Sequence, residues 1–171
     1  VLNWISPRLI GADALVQVVP GPLNGALRLP GDLYVLGNDL LMASPGPEAP
    51  AGHLIAAGLA VDDKTVTLEA LRHAGLLSAL RLMTIGSLPQ RAMEGYGEIL
   101  LSRALPRPDL AALPPVFAER GLSTEPFARS IDPTGAAVMP LIEADPIRQG
   151  TAPQELLTDE QWLALQQICA G

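Results

Sequence analysis

The sequence is poor in the residues from which many functional sites are built. Its 171 residues include one cysteine and two histidines. The single cysteine, Cys169, excludes an intrachain disulfide and a zinc site made of several cysteines. Because no histidine or basic residue lies near it in the sequence, we interpret Cys169 as a small apolar side chain on the last helix.

Basic residues are also scarce, which weighs against nucleic-acid binding. The formal net charge is −7, and Lys64 is the only lysine among 11 basic residues. The arginines are dispersed along the chain, whereas binding to phosphates requires clustered lysine and arginine. We therefore expect no nucleic-acid partner.

Long hydrophobic runs are missing as well. No apolar stretch reaches the roughly 20 residues that a membrane-spanning helix needs, and no signal peptide is recognisable. The sequence begins at Val1 rather than at a methionine, which leaves open an upstream membrane anchor or second domain. We expect a soluble domain, attached to a membrane only through such a segment, and the localisation and oligomeric state stay open.

The composition is that of a globular α+β domain. Apolar residues make up 49% of the chain and charged residues 17%, while aromatic residues are only 4%. A core of leucine, alanine, valine and isoleucine favours closely packed helices. With no repeat or linker visible, we predict one domain over residues 1–171, β-rich in 1–45 and helical in 46–171.

Three short strands are predicted near the N-terminus, over residues 15–19, 26–29 and 32–36. Turn dipeptides containing glycine separate them. Short strands joined by tight turns predict a small antiparallel meander. So small a sheet needs helices packed against one face.

Helices are predicted to follow the sheet. Asn38 is a candidate cap for a short helix through Met42, and Pro47 with Glu48 opens a helix to about Val61. Thr67 and Ser87 are further candidate caps, and a helical run extends through Met83. A helix is predicted over 108–120 with a break at Pro114-Pro115, and another starts at Asp132-Pro133. A capping box of Thr158 with Gln161 precedes the last helix, which contains Trp162, Leu165 and Ile168.

The two histidines, His53 and His73, carry no recognisable zinc motif. Two histidines on one helix face require a spacing such as i, i+4, and the positions four residues from His53 are both alanine. We interpret both histidines as structural. No nucleophile elbow surrounds Ser87, and no phosphate-binding loop is present.

The carboxylates Glu94 and Glu98 stand at i, i+4 and share a helix face. Such a pair either acts as general acid and base, or binds a metal, or is simply solvated. We favour the solvated interpretation, and we interpret Glu143 and Asp145 in the same way.

One stretch, Val16 to Val61, resembles the sheet and first active-site helix of HExxH zinc metallopeptidases. The similarity is to the gluzincin type, including minimal single-domain members and membrane-anchored heat-shock peptidases. That family has an Asn-Ala-Phe-Ala-Leu-Pro-Gly-Gly type segment, then an apolar edge strand, then a helix with Ala-His-Glu-Leu-Gly-His. The corresponding segments here are residues 24–32, 33–36 and 47–61, and the resemblance extends over residues 14–130.

The zinc motif itself is absent from the chain. In the ungapped register the two histidines and the glutamate of the family fall at Ala56, Ala60 and Ala57. If His53 is instead the first ligand, the glutamate becomes Leu54 and the second histidine Ala57. The family's later acidic ligand corresponds to Glu94. A catalytic zinc needs about three protein ligands and a bound water, so the resemblance implies a pseudoenzyme of bacterial peptidase type that has lost its metal.

The resemblance implies a non-catalytic binding or scaffold domain without a cofactor. In the family an extended peptide binds along the edge of the sheet by strand addition. Alternatives are a hydrolase with a site rearranged around Glu94, Glu98 and a histidine, and a subunit or domain of a larger membrane-anchored protein. The predicted peptide-binding edge consists of Asp32, Leu33, Tyr34, Val35 and Leu36.

Overall fold

The computed structural model describes residues 9–11, 14–20, 23–29, 32–60 and 109–170. These residues form a small three-stranded sheet and a larger set of helices, which confirms the predicted α+β class. The strands are β1 (Leu15–Val19), β2 (Ala26–Leu29) and β3 (Leu33–Gly37). The helices are α1 (Asn38–Ala43), α2 (Glu48–Ala60), α3 (Leu113–Glu119), α4 (Glu125–Ile131), α5 (Met139–Glu143) and α6 (Asp159–Ala170), with a 3-10 turn at Leu110–Ala112 before α3.

The sheet is mixed, so the predicted antiparallel meander is wrong in one of its two pairings. The strand order is β1-β3-β2, in which β3 runs parallel to β1 and antiparallel to β2. All five residues of β3 are buried, whereas β1 is at most half-buried along its length. β3 is the strand without a charged or amide side chain, and its position between the other two pairs its backbone at both edges.

This order also corrects the predicted peptide-binding edge. Residues 33–36 belong to β3, whose backbone is paired with β1 on one side and β2 on the other. Asp32 lies in the turn before β3 and has a positive φ of 54°. Among the described residues, the strands with a free outer side are therefore β1 and β2.

Helix α2 lies at the centre of the fold, between the sheet and α4. Nearly all its residues from Ala49 to Ala57 are buried, as expected of a helix that is apolar all round. A Cβ atom at Gly58 would lie 3.0 Å from the Tyr34 hydroxyl, so this glycine permits close approach of the sheet. Gly52 instead faces α4, where a Cβ would lie 2.5 Å from the Cβ of Phe127.

Several helix boundaries differ from those predicted. Gly37, rather than Asn38, occupies the N-cap position of α1. Asn38 is the first residue of the helix, and no side chain forms a capping hydrogen bond there. Pro114 and Pro115 begin α3 rather than interrupt a longer helix, because proline is compatible with the first helical turn. Asp132 ends α4 instead of starting a helix; its carboxylate accepts hydrogen bonds from the backbone N–H groups of Thr134 and Ala137.

The C-terminal helix α6 begins as predicted. Thr158 N–H donates to the side chain of Gln161 at 3.0 Å, and Gln161 N–H donates to the Thr158 hydroxyl at 3.3 Å, which completes the capping box. Trp162 and Leu165 are buried, but Ile168 is 60% exposed and does not share their face. The helix signals at Thr67, Met83 and Ser87 lie outside the described residues.

No helix within the described ranges is both long enough and apolar enough to cross a membrane.

Replacing Gly52 with alanine tests the close packing of α2 on α4. Alanine favours a helix over glycine by about 1 kcal/mol, but the new methyl group would overlap Phe127. We expect overpacking to win and the free energy of unfolding to fall by about 1–3 kcal/mol in denaturant titrations. Gly46→Ala is the matched control, since its Cβ would meet only the movable carboxylate end of Glu48. A G52A protein as stable as G46A would contradict this packing.

Candidate functional site

His53 lies on α2 and faces α4. Its Nε2 is 2.8 Å from the hydroxyl oxygen of Ser130. Its ring packs edge-on against Phe127, with 4.9 Å between the ring centroids. Gly25 lies on the Nδ1 side, where a Cβ would approach Nδ1 to 3.5 Å.

The hydrogen bonds assign the tautomer of His53. The Ser130 hydroxyl donates its single hydrogen to the Phe127 carbonyl at 2.6 Å, so its oxygen accepts the hydrogen bond from Nε2–H. Burial disfavours the imidazolium and lowers the pKa of His53 to about 4. The ring is therefore neutral at pH 7 and joins two helices.

This arrangement is structural rather than nucleophilic. A serine is activated when its proton is aimed at a histidine nitrogen, but the Ser130 proton is directed at the backbone. A histidine with so low a pKa is also a weak base at neutral pH.

The other predicted site positions on α2 add no polar group. Ala56, Ala57 and Leu54 are buried apolar residues, and Ala60 is the last residue of the helix. Glu94, Glu98 and His73 lie outside the described residues. In the described parts of the chain, no group of three or more His, Cys, Asp or Glu side chains is placed to hold a metal ion.

Asp145 is a buried carboxylate, so the interpretation of its side chain as solvated is wrong. It is 1% exposed. It accepts hydrogen bonds from the Ser123 hydroxyl, from Glu125 N–H at 3.0 Å and from Ile147 N–H at 2.8 Å. Burial alone would raise the pKa of Asp145, but these hydrogen bonds outweigh burial and the pKa lies below its ordinary value. The carboxylate thus fixes the start of α4 to the turn after α5.

Glu125, the first residue of α4, forms ion pairs with two arginines. Its carboxylate lies 2.8 Å from Arg129 and 2.5 Å from Arg148. Hydrogen bonds from Arg129 and then Arg148 lower the pKa of Glu125. These exposed pairs, together with Asp145, stabilise α4 and so fix the position of Ser130 against His53.

An apolar cavity of about 30 Å³ lies on the other side of α2, next to β1. Its lining comes from seven parts of the fold: the segment before β1, β1, β3, α1, α2 with the preceding Pro47, the stretch 156–157, and α6. The lining side chains are all apolar: Leu9, Val16, Leu36, Leu41, Pro47, Pro50, Ala51, Leu54, Leu156, Leu157, Trp162 and Leu165. Of these, Val16, Pro47 and Leu156 are half-buried and mark where the cavity opens to the surface.

The outer side of β1 lies beside this opening. Leu15 N–H donates to Asp32 O at 3.0 Å, on the β3 side. Because neighbouring residues of a strand direct their backbone groups to opposite sides, Val16 and Val18 direct their N–H and C=O groups away from β3. The strand contains neither a charged residue nor a proline, features that commonly block pairing at sheet edges.

Sequence reasoning missed this edge because it assumed that strands consecutive in the chain were neighbours in the sheet. The available signal was the lack of charge in residues 15–19, whereas β2 carries Arg28. That arginine forms a 2.6 Å ion pair with Asp32 and lies over the Tyr34 ring at 5.9 Å.

No protein-family model matches the sequence, and no curated protein matches it. The resemblance to HExxH metallopeptidases accordingly rests on the segments of residues 14–130 alone.

The partly buried, neutral His53 predicts a loss of stability in mild acid. Its folded-state pKa of about 4 lies below the ordinary 6.5, so the unfolded chain takes up the proton first. The proton uptake of the unfolded chain leaves the free energy of unfolding unchanged above pH 6.5. As the pH falls from 6.5 towards 4, the free energy of unfolding decreases by at most roughly 3 kcal/mol.

His53→Gln keeps an N–H donor for Ser130 but cannot titrate. We expect the free energy of unfolding of H53Q to change much less than that of the original chain between pH 7 and pH 5. Urea titrations at several pH values measure this difference. If the free energy of unfolding changed with pH by the same amount in the two proteins, that result would contradict a partly buried neutral histidine.

Proposed function

We propose that this chain is a non-catalytic binding domain that receives an extended segment of a protein partner as a fourth strand along β1. The observation that carries the proposal is the outer side of β1, with its outward N–H and C=O groups at Val16 and Val18. Strand addition uses such groups for affinity and adjacent side-chain pockets for specificity.

The state of α2 supports a function without hydrolysis. At the position where the resemblance to HExxH peptidases would require the glutamate, the helix has the buried residue Ala57 in one register and Leu54 in the other. His53 donates to Ser130 and packs against Phe127. In this proposal α2, which corresponds to the active-site helix of the peptidases, serves only as a core helix. The partner binds instead at the uncharged edge strand β1.

The competing proposal is a hydrolase with a site formed by Glu94, Glu98 and a histidine. The hydrogen bond between His53 and Ser130 disfavours His53 as the histidine of such a site. The remaining candidate histidine is His73. The two proposals differ in metal content and activity. We expect the purified chain to contain no stoichiometric zinc by elemental analysis and to leave unstructured protein substrates intact. Stoichiometric zinc together with proteolysis would contradict the binding proposal.

Proline at the edge tests strand addition directly. Val18→Pro removes an outward N–H, while proline is tolerated on an edge strand when its nitrogen faces away from the ladder. Val18→Ala is the matched control, because it shortens the side chain and keeps the N–H group. The probe is a synthetic peptide obtained by selecting random peptides displayed on phage against the 171-residue chain.

We expect V18P to weaken peptide binding at least about tenfold, as loss of a backbone hydrogen bond at an interface requires, whereas V18A binds nearly as the original chain does. Isothermal titration calorimetry measures both, and circular dichroism checks folding. Peptides that bind V18P and the original chain equally well would show that the partner does not pair with β1.

A further inference from the structure

We propose that the bound segment places one small aliphatic side chain, of valine size, in the apolar cavity beside Val16, and that basic residues flank it. This inference rests on the proposed strand addition to β1 and names the kind of segment that fits there.

The direction of the side chain follows from the register of the sheet. Val16 is paired with Tyr34, and Val18 with Leu36, so all four side chains lie on one face of the sheet. Tyr34 contacts Gly58 of α2, so this is the face against which α2 packs. A residue of an added strand directly opposite Val16 also points to this face, with its Cβ about 5 Å from that of Val16.

The cavity lies where such a side chain arrives. Val16 is both a lining residue and one of the half-buried residues at the opening. The volume of about 30 Å³ has room for roughly two groups of methyl or water size. A lining without polar groups offers water no hydrogen bonds, so an aliphatic group is the favoured occupant. The size fits alanine or valine better than leucine or an aromatic ring.

The charge around the cavity indicates the flanking residues. The lining comes from residues 9–16, 36–54 and 156–165, and these segments contain no lysine or arginine. Arg8 precedes the first of these segments in the sequence, and carboxylates lie within or next to the other two. Glu48 follows Pro47, and Glu155 precedes Leu156. Asp159 and Glu160 lie in the first turn of α6.

One described cation reaches this region. Arg120 donates from Nε to Leu9 O at 2.8 Å and from its guanidinium to Val116 O at 2.9 Å. These bonds hold its guanidinium against the backbone, so among the described residues acidic side chains outnumber basic ones next to the lining. Charge complementarity with a chain of net charge −7 therefore selects a basic segment. A second copy of this chain would bring like charge to the same edge.

The cavity inference is tested by varying the size of the peptide side chain that enters the cavity and the size of the cavity itself. In the peptide selected above, the residue that enters the cavity is varied between valine and phenylalanine, and both peptides are titrated against each protein. We expect the original chain to bind the valine peptide at least about tenfold more tightly than the phenylalanine peptide. Leu157→Ala enlarges the cavity, because Leu157 is a buried lining residue. This variant is expected to reduce that ratio at least tenfold.

Leu141→Ala is the matched control, since it truncates a buried leucine that does not line the cavity. It is expected to leave the ratio unchanged. Ala51→Val serves as a second variant in case L157A does not fold. It fills the cavity from α2 and is expected to reduce binding of the valine peptide to that of a glycine peptide.

The outcomes separate this inference from the proposed function. If V18P abolishes binding but L157A and A51V leave the size preference as L141A does, strand addition stands and the cavity inference is overturned. If selected peptides lack basic residues and bind equally at low and high salt, the charge argument is overturned. Sedimentation of the chain alone as a dimer that V18P converts to a monomer would show that a second copy occupies β1.

Discussion

The close approach of α2 to its two neighbours is the constraint on which the rest of the structure depends. Gly58 lets the helix approach Tyr34 of the sheet, and Gly52 lets it approach Phe127 of α4. Between these contacts the helix presents mostly alanine, leucine and isoleucine. Small residues are needed because the helix is buried on nearly every side. A helix of larger residues would separate the sheet from α4 and open the core.

That packing determines the environment of His53. With Gly52 in contact with Phe127, the next residue on α2 reaches Ser130 one turn further along α4. The imidazole is partly buried there as a neutral hydrogen-bond donor, and its low pKa is the consequence. On the opposite side of α2, the cavity beside β1 is lined by Pro47, Pro50, Ala51 and Leu54. The same helix thus separates a polar contact, which stabilises the fold, from an apolar opening suited to binding.

The sequence predicts local structure well where a local signal decides it. The Thr158–Gln161 capping box, the start of α2 near Pro47 and the strand of residues 15–19 are all present as predicted. What the sequence does not predict is pairing between segments. The position of β3 between β1 and β2 depends on burial of both its faces, and turn residues carry no information about that.

Long-range polar contacts are equally hidden from the sequence. In the sequence Asp145 resembles a surface acid, because its hydrogen-bond donors at Ser123 and Glu125 lie about twenty residues earlier. His53 looks isolated because Ser130 is 77 residues away. The candidate edge at β1 was missed for the same reason, since its outer position is defined only once β3 is placed.

Two backbone amides of β1 report most directly on the proposed strand addition. In the register of β1 with β3, the N–H groups of Leu15, Gln17 and Val19 face β3, and those of Val16 and Val18 face outward. Amide hydrogen exchange followed by NMR, with and without a bound peptide, tests this at single residues. We expect fast exchange at Val16 and Val18 in the free chain and strong protection of both on peptide binding. Peptide binding that leaves these two amides exchanging as fast as before would contradict it.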